Sequence, residues 1–348
     1  MQQNPLGLNG IDFIEFSTSE PTKLHQLFTD FGFSKIAKHP NMNIDLYRQN
    51  GITFLLNYQK RSCGWRFQEM HGPSISAMGW RFRDAKQALS LATARGAESY
   101  PHGDYRLKDG ESVPAIKGIG DSLIYFVDQD DHNDISYSRY GFEKIQDPFL
   151  VPDKGFLIVD HLTNNVFKGT MQKWAAFYKE IFGFSEVRYF DIRGQKTGLT
   201  SFALKSPCGS FCIPINEADE AKSQINEFLL EYNGPGVQHL AFLTRDLLSS
   251  LEKMKGSSVQ TLDIEPGYYS EAFQRVPAIK EDKTRIKDFN VLVDGDHDGY
   301  LLQIFTKKLV GPIFIELIQR ENHLSFGEGN FKALFDSIER DQMKRGVL

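Results

Sequence analysis

The sequence predicts an α+β protein built from two tandem halves, each with two modules of one strand, one helix and several further strands. Two internal repeats support this fold class. Residues 72–85 (GPSISAMGWRFRDA) match residues 234–247 (GPGVQHLAFLTRDL), since both run from Gly-Pro through an apolar strand to an Arg-Asp pair that opens a helix. Residues 9–16 match residues 157–164, and each copy leads into a helix-like stretch that stops at Gly-Phe-Ser.

The length and the repeats together place a domain boundary near the middle of the chain. A chain of 348 residues has room for about two domains of roughly 150 residues each. We predict an N-terminal domain over residues 1–145 and a C-terminal domain over residues 156–348, joined by the proline-containing stretch 141–155. Strands are predicted where apolar residues alternate, as at Phe211, Ile213 and Ile215.

The last segment departs from the repeat. Phe331, Leu334, Phe335 and Ile338 recur at the spacing of one helix face. This helix either docks on the core or covers a site as a lid, in which case the glycines of the preceding LSFGEGN loop are the hinge.

Composition excludes several classes of protein. The content of 41% hydrophobic and 24% charged residues is typical of a globular domain, and the 28 Phe indicate either a large core or an aromatic pocket. A net charge of −5 without a basic stripe argues against a nucleic-acid partner. The polar start MQQNPLGLNG and the short apolar runs argue against a signal peptide and a membrane span.

The three cysteines indicate reduced thiols and a cytoplasmic protein. Cys208 and Cys212 could be half of a zinc site, but no second Cys or His pair follows at the required spacing.

The repeats single out two histidines. His161 and His239 lie in the first strands of the third and fourth modules, where the first two modules have Phe13 and Ala77. Glu316 interrupts the apolar strand of GPIFIELIQR, where an unpartnered carboxylate would be costly to bury. Two histidines and one carboxylate are typical of non-haem Fe(II) oxygenases. The alternative is that the histidines are hydrogen-bonded core residues and Glu316 pairs with an arginine.

At these residues the chain resembles the 4-hydroxyphenylpyruvate dioxygenases of the vicinal-oxygen-chelate superfamily. The resemblance covers nearly the whole chain and is densest after residue 156. It is carried by segments in family order: VDHLTNNV, FGF, SPCG, INE, YNGPGVQHLAF, LLQIFTK, GPIFIELIQR and FGEGNFKALF. It implies two tandem pairs of βαβββ modules, each half an open barrel around a cavity, with a C-terminal helix as lid.

The resemblance also implies a set of site residues. It places His161, His239 and Glu316 as ligands of one Fe(II) per subunit. The implied polar catalytic residues are Ser201, Asn216, Gln224 and Gln303. The implied substrate-binding residues are Gln238, Pro214, Phe305, Phe314, Phe326, Asn330 and Phe331.

The implied reaction joins O2 to 4-hydroxyphenylpyruvate and releases homogentisate and CO2, as in the breakdown of tyrosine and phenylalanine. No 2-oxoglutarate is required, because the substrate carries its own α-keto acid. The family further suggests a homodimer or a homotetramer.

Strand alternation supports part of this set independently. Residues two apart in a strand share a face, so Phe314 lies on the side of Glu316, and Gln303 on the side of Phe305. The same holds for Pro214 and Asn216. Gln238 directly precedes His239 and would point away from the site unless the strand is bulged there.

Three rival functions remain open. Hydroxymandelate synthase uses the same iron and substrate, but the resemblance implies a smaller aliphatic residue at the position of Phe331. An extradiol dioxygenase would need additional His and Tyr acid–base residues, which we do not find. A non-catalytic binding protein on the same scaffold would not need three metal ligands.

Overall fold

Two eight-stranded sheets, one in each half of the chain, form the framework of the computed structural model. The structure describes residues 4–128, 137–193, 198–218, 220, 222–344 and 346. Both sheets have an inner antiparallel strand pair that is flanked on each side by a parallel neighbour.

The N-terminal sheet has the strand order β6-β7-β5-β1-β4-β3-β2-β8. Its strands are β1 (Leu8–Ser17), β2 (Ser34–Lys38), β3 (Ile44–Gln49), β4 (Ile52–Asn57), β5 (Ser74–Phe82), β6 (Ala115–Lys117), β7 (Leu123–Asp128) and β8 (Glu143–Phe149).

The C-terminal sheet has the order β10-β11-β12-β9-β13-β16-β15-β14. Its strands are β9 (Phe156–Val166), β10 (Ser185–Arg193), β11 (Gly198–Lys205), β12 (Cys212–Ala218), β13 (Gly236–Thr244), β14 (Leu292–Gly295), β15 (Tyr300–Phe305) and β16 (Phe314–Glu321). Strands β9, β13, β12 and β16 repeat the pairing of β1, β5, β4 and β7, so the duplication read from the sequence is confirmed.

The helices begin and end largely where the sequence signals predicted. Asp84 and Asp246 are the N-caps that follow the two repeat strands, and each carboxylate accepts a hydrogen bond from a backbone N–H three residues later. The helices are α1 (Pro21–Asp30), α2 (Cys63–His71), α3 (Ala85–Ala94), α4 (Met171–Phe177), α5 (Gln224–Glu231), α6 (Leu247–Met254), α7 (Tyr268–Arg275), α8 (Lys283–Asp288) and α9 (Phe331–Lys344). A π-helical turn, Tyr178–Phe182, extends α4 up to Gly183. None of these described helices is long and apolar enough to cross a bilayer.

Two details differ from the prediction. Residues 141–155 are not only a linker, because β8 lies within them and pairs with β2 at the edge of the N-terminal sheet. In the second module, which begins with β5, strands β6 and β7 lie on the β5 side of the sheet, whereas the third strand after its helix, β8, lies at the opposite edge.

The two halves share one hydrophobic core. Phe31 and Phe33 of the N-terminal half pack against Phe242 of the C-terminal half, with ring centroids 5.9 and 5.8 Å apart. The backbone N–H of Gly51 donates to the carbonyl of Leu157 at 2.9 Å. The N-terminal half also has a core of its own around Phe13. The shared core therefore holds β9, the first strand of the candidate site, against the N-terminal sheet.

Candidate metal centre and its cavity

Three neighbouring strands bring the predicted ligands together. His161 lies on β9, His239 on β13 and Glu316 on β16, which are adjacent in the C-terminal sheet. Oε2 of Glu316 is 3.0 Å from Nε2 of His161 and 3.5 Å from Nε2 of His239. One ligand atom from each residue lies within 4.8 Å of the others. The three side chains thus converge on one point, although they are far apart in sequence.

This donor set fits a transition metal. Neighbouring ligand atoms about 2.1 Å from an ion lie about 3 Å apart in a roughly right-angled arrangement, which matches the separations found here. Two imidazoles and one carboxylate on one face form the facial triad typical of Fe(II) oxygenases. In the N-terminal half, the equivalent positions hold Phe13, Ala77 and, by strand pairing, Tyr125, so this half offers no such donor set.

Two strand bulges place a hydrogen-bonding oxygen beside Nδ1 of each candidate histidine ligand. The pairing of β9 with β13 skips Asp160 and Gln238, the residues directly before the two histidines. Oδ2 of Asp160 is 2.8 Å from Nδ1 of His161, and Oε1 of Gln238 is 3.1 Å from Nδ1 of His239. When both Nδ1 atoms donate to these oxygens, both Nε2 lone pairs are free to bind a metal.

Arg320 fixes Asp160 in turn. Its guanidinium donates two hydrogen bonds of 2.9 Å to the Asp160 carboxylate. It also donates to the backbone carbonyls of His323 and Ser325, in the loop that leads to α9. Through Asp160, Arg320 therefore connects the candidate ligand His161 with the loop that precedes the C-terminal helix.

The charges of the cluster are coupled. Burial alone would raise the pKa of Glu316, but the charge of His161 and hydrogen bonds from both histidines lower it to about 2. Burial opposes protonation of His161, yet the Glu316 carboxylate and Asp160 raise its pKa to about 9. Burial lowers the pKa of His239. These shifts favour the imidazolium form of His161 beside an ionised Glu316, and a cation that binds Nε2 of His161 displaces its proton.

A cavity of about 90 Å³ opens beside the three donors. Ten of the eleven pocket residues that the resemblance implied contribute to its lining: Ser201, Pro214, Asn216, Gln224, Gln238, Gln303, Phe305, Phe314, Phe326 and Phe331. The bulge at Gln238 explains how this residue faces the same side as His239, which regular alternation forbids. These residues are therefore close enough to contact a bound molecule, whereas their individual roles remain predictions.

Asn330 does not line the cavity but contacts Gln303, which does. Its side-chain N–H donates to Oε1 of Gln303 at 2.9 Å, and Gln303 donates to Oε1 of Glu316 at 2.9 Å. Gly327 lies against the same amide, because a Cβ added there would be 2.0 Å from Oε1 of Gln303. Glycine at this position is thus required for close packing and for a φ of +80°.

Aromatic rings cover the donors. The ring of Phe314 is stacked on His239 with centroids 4.7 Å apart. Phe305 is edge-on to Phe314 at 6.2 Å, and Phe326 is edge-on to His161 at 5.7 Å. These contacts form an apolar wall that can hold a flat ring next to the metal position.

The C-terminal helix closes the cavity. Phe331, Leu334, Phe335 and Ile338, the predicted apolar face of α9, all contribute to the lining. Farther along α9, the side chain of Gln342 donates to Glu227 of α5 at 2.8 Å. The helix therefore covers the cavity, and Phe335 also packs in the hydrophobic core, so the arrangement agrees with both interpretations of this helix.

Sequence reasoning missed Asp160 and Arg320. The one available signal was that Asp160 matches Asp12 in the repeat. A second group of potential metal ligands, Asp296, His297 and Asp298, lies in the β14–β15 turn, where all three side chains are exposed. Cys63, Cys208 and Cys212 are free thiols, and no described group of potential metal ligands includes a cysteine.

Comparisons with known proteins bear on the same residues. Residues 2–143 match the family model described as hydroxyphenylpyruvate dioxygenase, HPPD, N-terminal. Residues 158–304 match the model of the glyoxalase, bleomycin resistance protein and dioxygenase superfamily.

Individual proteins match along almost their whole length. The chain is 59% identical to protein MelA of Shewanella colwelliana, covering 100% of this chain and 99% of that one. It is 43% identical to a 4-hydroxyphenylpyruvate dioxygenase of Legionella pneumophila, covering 99% and 98%. A solved triple mutant of 4-hydroxymandelate synthase from Streptomyces coelicolor superposes with a TM-score of 0.81 at 24% identity, covering 96% and 99%. At that identity, the likeness supports the fold alone, and the predicted fold class is confirmed.

Proposed function

The chain belongs to the 4-hydroxyphenylpyruvate dioxygenase family, and on that premise we propose that it converts 4-hydroxyphenylpyruvate and O2 to homogentisate and CO2. We place this reaction in the cytoplasmic breakdown of tyrosine and phenylalanine. The observation that carries the proposal is the convergence of His161, His239 and Glu316 at the wall of an aromatic cavity.

Iron is the proposed metal, held by the two Nε2 atoms and the Glu316 carboxylate. When bound, Fe(II) would supply the redox chemistry with O2 and a chelation site for the keto acid of the substrate. Asp160 and Gln238 keep the imidazoles in the metal-binding tautomer by accepting from Nδ1. Gln303 donates to the outer oxygen of Glu316, so we assign it a positioning role.

The aromatic wall orients the substrate ring. Phe314 and Phe305 meet edge to face beside His239, and Phe331 enters the cavity from α9. A phenol ring between these side chains would be fixed relative to the metal, which limits the positions that can react.

The polar end of the cavity holds the remaining hydrogen-bonding groups. Ser201 and Asn216 lie opposite each other on β11 and β12, and Gln224 lies at the start of α5. We propose that they bind the phenol or the carboxylate end of the substrate, in a pocket that α9 shields from water.

We propose that the C-terminal helix α9 moves when the substrate binds. An engineered apolar cavity of about 150 Å³ binds benzene, whereas the volume here is about 90 Å³. We therefore propose that α9 is displaced when a substrate with a ring and a three-carbon acid enters.

The decisive experiment measures oxygen consumption and product formation together. The purified chain, reconstituted with Fe(II) and ascorbate, should consume one O2 for each 4-hydroxyphenylpyruvate and release homogentisate, identified by chromatography. The E316Q variant should retain far less iron and consume no oxygen above background. Absence of oxygen uptake by the iron-loaded wild-type protein would overturn the proposal.

Hydroxymandelate synthase is the second candidate, because a mutant of such an enzyme shares the fold. The two functions differ in product, since side-chain hydroxylation gives hydroxymandelate whereas ring attack gives homogentisate.

The extradiol dioxygenase alternative loses support, because the described lining of the cavity contains no tyrosine and no histidine besides the two candidate ligands.

A further inference from the structure

The N-terminal half has a cavity at the position where the C-terminal half has its candidate site. Four of its lining residues are repeat equivalents of cavity residues in the other half: Glu15, Ser76, Ala77 and Leu123 correspond to Thr163, Gln238, His239 and Phe314. The N-terminal cavity measures about 240 Å³, against about 90 Å³ for the candidate iron site. It thus lies at the equivalent place in the N-terminal half but has Ala77 where the candidate iron site has His239, and it is larger than the roughly 150 Å³ cavity that holds a benzene ring.

The inner end of this cavity is a buried carboxyl group. The Glu15 side chain is 1% exposed and accepts hydrogen bonds from Ser76 at 2.6 Å and from Tyr105. Burial and the neighbouring Asp104 raise the pKa of Glu15 to about 7. Ser17 also donates to Oε1 of Glu15, at 3.4 Å, so the carboxyl already accepts from several protein groups. In its protonated form it can additionally donate its O–H to a ligand.

Helix α2 is packed directly over this carboxyl. A Cβ added to Gly64 would be 2.8 Å from Oε1 of Glu15 and 2.3 Å from Oγ of Ser17. Only glycine allows the helix to approach so closely, so the polar end is enclosed by main chain as well as by side chains.

The outer end has an apolar wall and a rim that contains Arg66, Tyr100, Lys117 and Asp121. Phe67, Met70 and Leu123 form the wall. Arg66 at the rim is exposed and donates to the carbonyl of Arg61 and to Sγ of Cys63. In the described part of the chain no carboxylate forms an ion pair with it, whereas Lys117 on the same rim is already paired with Glu98 at 2.8 Å.

We propose that this cavity binds a second small molecule, a single-ring 4-hydroxyphenyl carboxylic acid, with its hydroxyl at Glu15 and Ser76 and its carboxylate at Arg66. The apolar wall accepts the ring, and the guanidinium offers a forked donor to the carboxylate. A hydroxyl is favoured over an ammonium at the inner end, because burying a charge costs far more than burying a hydroxyl that is hydrogen-bonded. The site is separate from the iron site and does not depend on the reaction proposed there.

The test counts binding sites with 4-hydroxyphenylacetate, which lacks the keto group. Equilibrium dialysis of the full-length, iron-loaded protein without oxygen should give two sites per chain. R66Q should weaken one of them by about tenfold or more, as expected for loss of a charged hydrogen bond. A77L should fill the cavity and remove the same site. K60Q, which removes an exposed cation outside the cavity, should leave both sites unchanged.

Two further probes test each end of the proposed ligand. Phenylacetate lacks the hydroxyl and tyramine lacks the carboxylate, so each should bind the N-terminal site at least about tenfold more weakly.

Melting curves of R66Q and A77L should confirm that both variants fold, and turnover of 4-hydroxyphenylpyruvate by R66Q should match wild type. If R66Q and A77L leave every observed binding site intact, this inference is overturned and the proposed reaction is unaffected. If only one site is found and both variants weaken it, that site is the N-terminal one and the inference stands. Loss of turnover in the wild-type protein would instead overturn the reaction alone.

Discussion

Asp160 and Gln238 hold the same place relative to the two candidate histidine ligands. Each is the bulged residue directly before a histidine, and each has an oxygen facing Nδ1 of that imidazole, at 2.8 and 3.1 Å. The bulge turns a side chain that should point away from the site toward it. Both histidines are thereby oriented by their own chain neighbour, with Nε2 directed at Glu316.

Substitution of Asp160 should weaken metal binding. D160N preserves an oxygen that can accept from Nδ1 but loses the negative charge and the ion pair with Arg320. Loss of such a supporting partner typically lowers metal affinity by roughly 10- to 100-fold. Anaerobic competition of the variant with a chelator for Fe(II) would measure this loss.

Asp12 provides the matched control. It is the repeat equivalent of Asp160 and has Phe13, not a histidine, as its neighbour. D12N should leave the Fe(II) affinity at the wild-type value. If D160N binds iron as tightly as D12N does, Asp160 has no part in holding the ligand.

Phe331 should control which product forms. Its ring enters the cavity from α9, and F331V would open space beside the substrate ring. We expect the side chain to gain access to the reacting oxygen, so that part of the product becomes hydroxymandelate. Chromatographic separation of hydroxymandelate from homogentisate measures the ratio.

Leu334→Val removes volume from the same helix face and should keep homogentisate as the product. An unchanged product ratio in F331V would remove this role from Phe331. A shifted ratio in both variants would mean that general loosening of α9, and not the ring at this position, decides the product.

Gln342 should hold the lid closed. Its amide donates to Glu227, which also pairs with Lys308 at 2.9 Å, so the end of α9 is tied to α5. Removing a buried hydrogen bond of this kind costs about 1 kcal/mol or more. Q342A should therefore increase the hydrogen exchange of residues 331–344, measured by mass spectrometry.

K332A serves as the control on the same helix, because Lys332 is exposed. Its exchange pattern should match wild type beyond the first turn. Equal protection of α9 in Q342A and wild type would show that the apolar face alone keeps the helix in place.

The candidate metal triad could be predicted from the sequence because its signals are local. His161 and His239 were found by comparing repeat positions, and Glu316 was found as a carboxylate inside an apolar strand. Strand alternation then placed Phe314 beside Glu316, and both side chains do line the cavity. These inferences need only a period of two and a duplicated pattern.

The supporting contacts could not be predicted, because they depend on pairing between distant strands. A bulge is a mismatch between two strands, so neither β9 nor β13 alone reveals it. Arg320 meets Asp160 from a position far along the chain. The roles of Ser201, Asn216 and Gln224 came from family resemblance only, since their residue types are ordinary in strands and at helix starts.

Glu15 is the N-terminal counterpart of a neutral residue, Thr163, and this exchange has a consequence for stability. Its carboxyl is fully buried, and burial together with Asp104 raises its pKa from 4.5 to about 7. A group whose pKa is higher in the folded state stabilises the fold while it is protonated, and that contribution is lost as the pH rises through the folded pKa. The window for this loss therefore runs from about pH 4.5 to about pH 7.

E15Q should remove this pH dependence, because the amide stays neutral throughout. Between pH 5 and pH 8 the wild-type protein should lose stability relative to E15Q, on the order of 2 kcal/mol at about 1.4 kcal/mol per pKa unit. Denaturant unfolding of metal-free protein at both pH values measures the difference and keeps iron binding out of the comparison. E69Q, which changes an exposed carboxylate of the same half, should keep a constant difference from wild type. If the E15Q difference is also constant, Glu15 is ionised in the fold at neutral pH, and the surrounding hydroxyls compensate its burial.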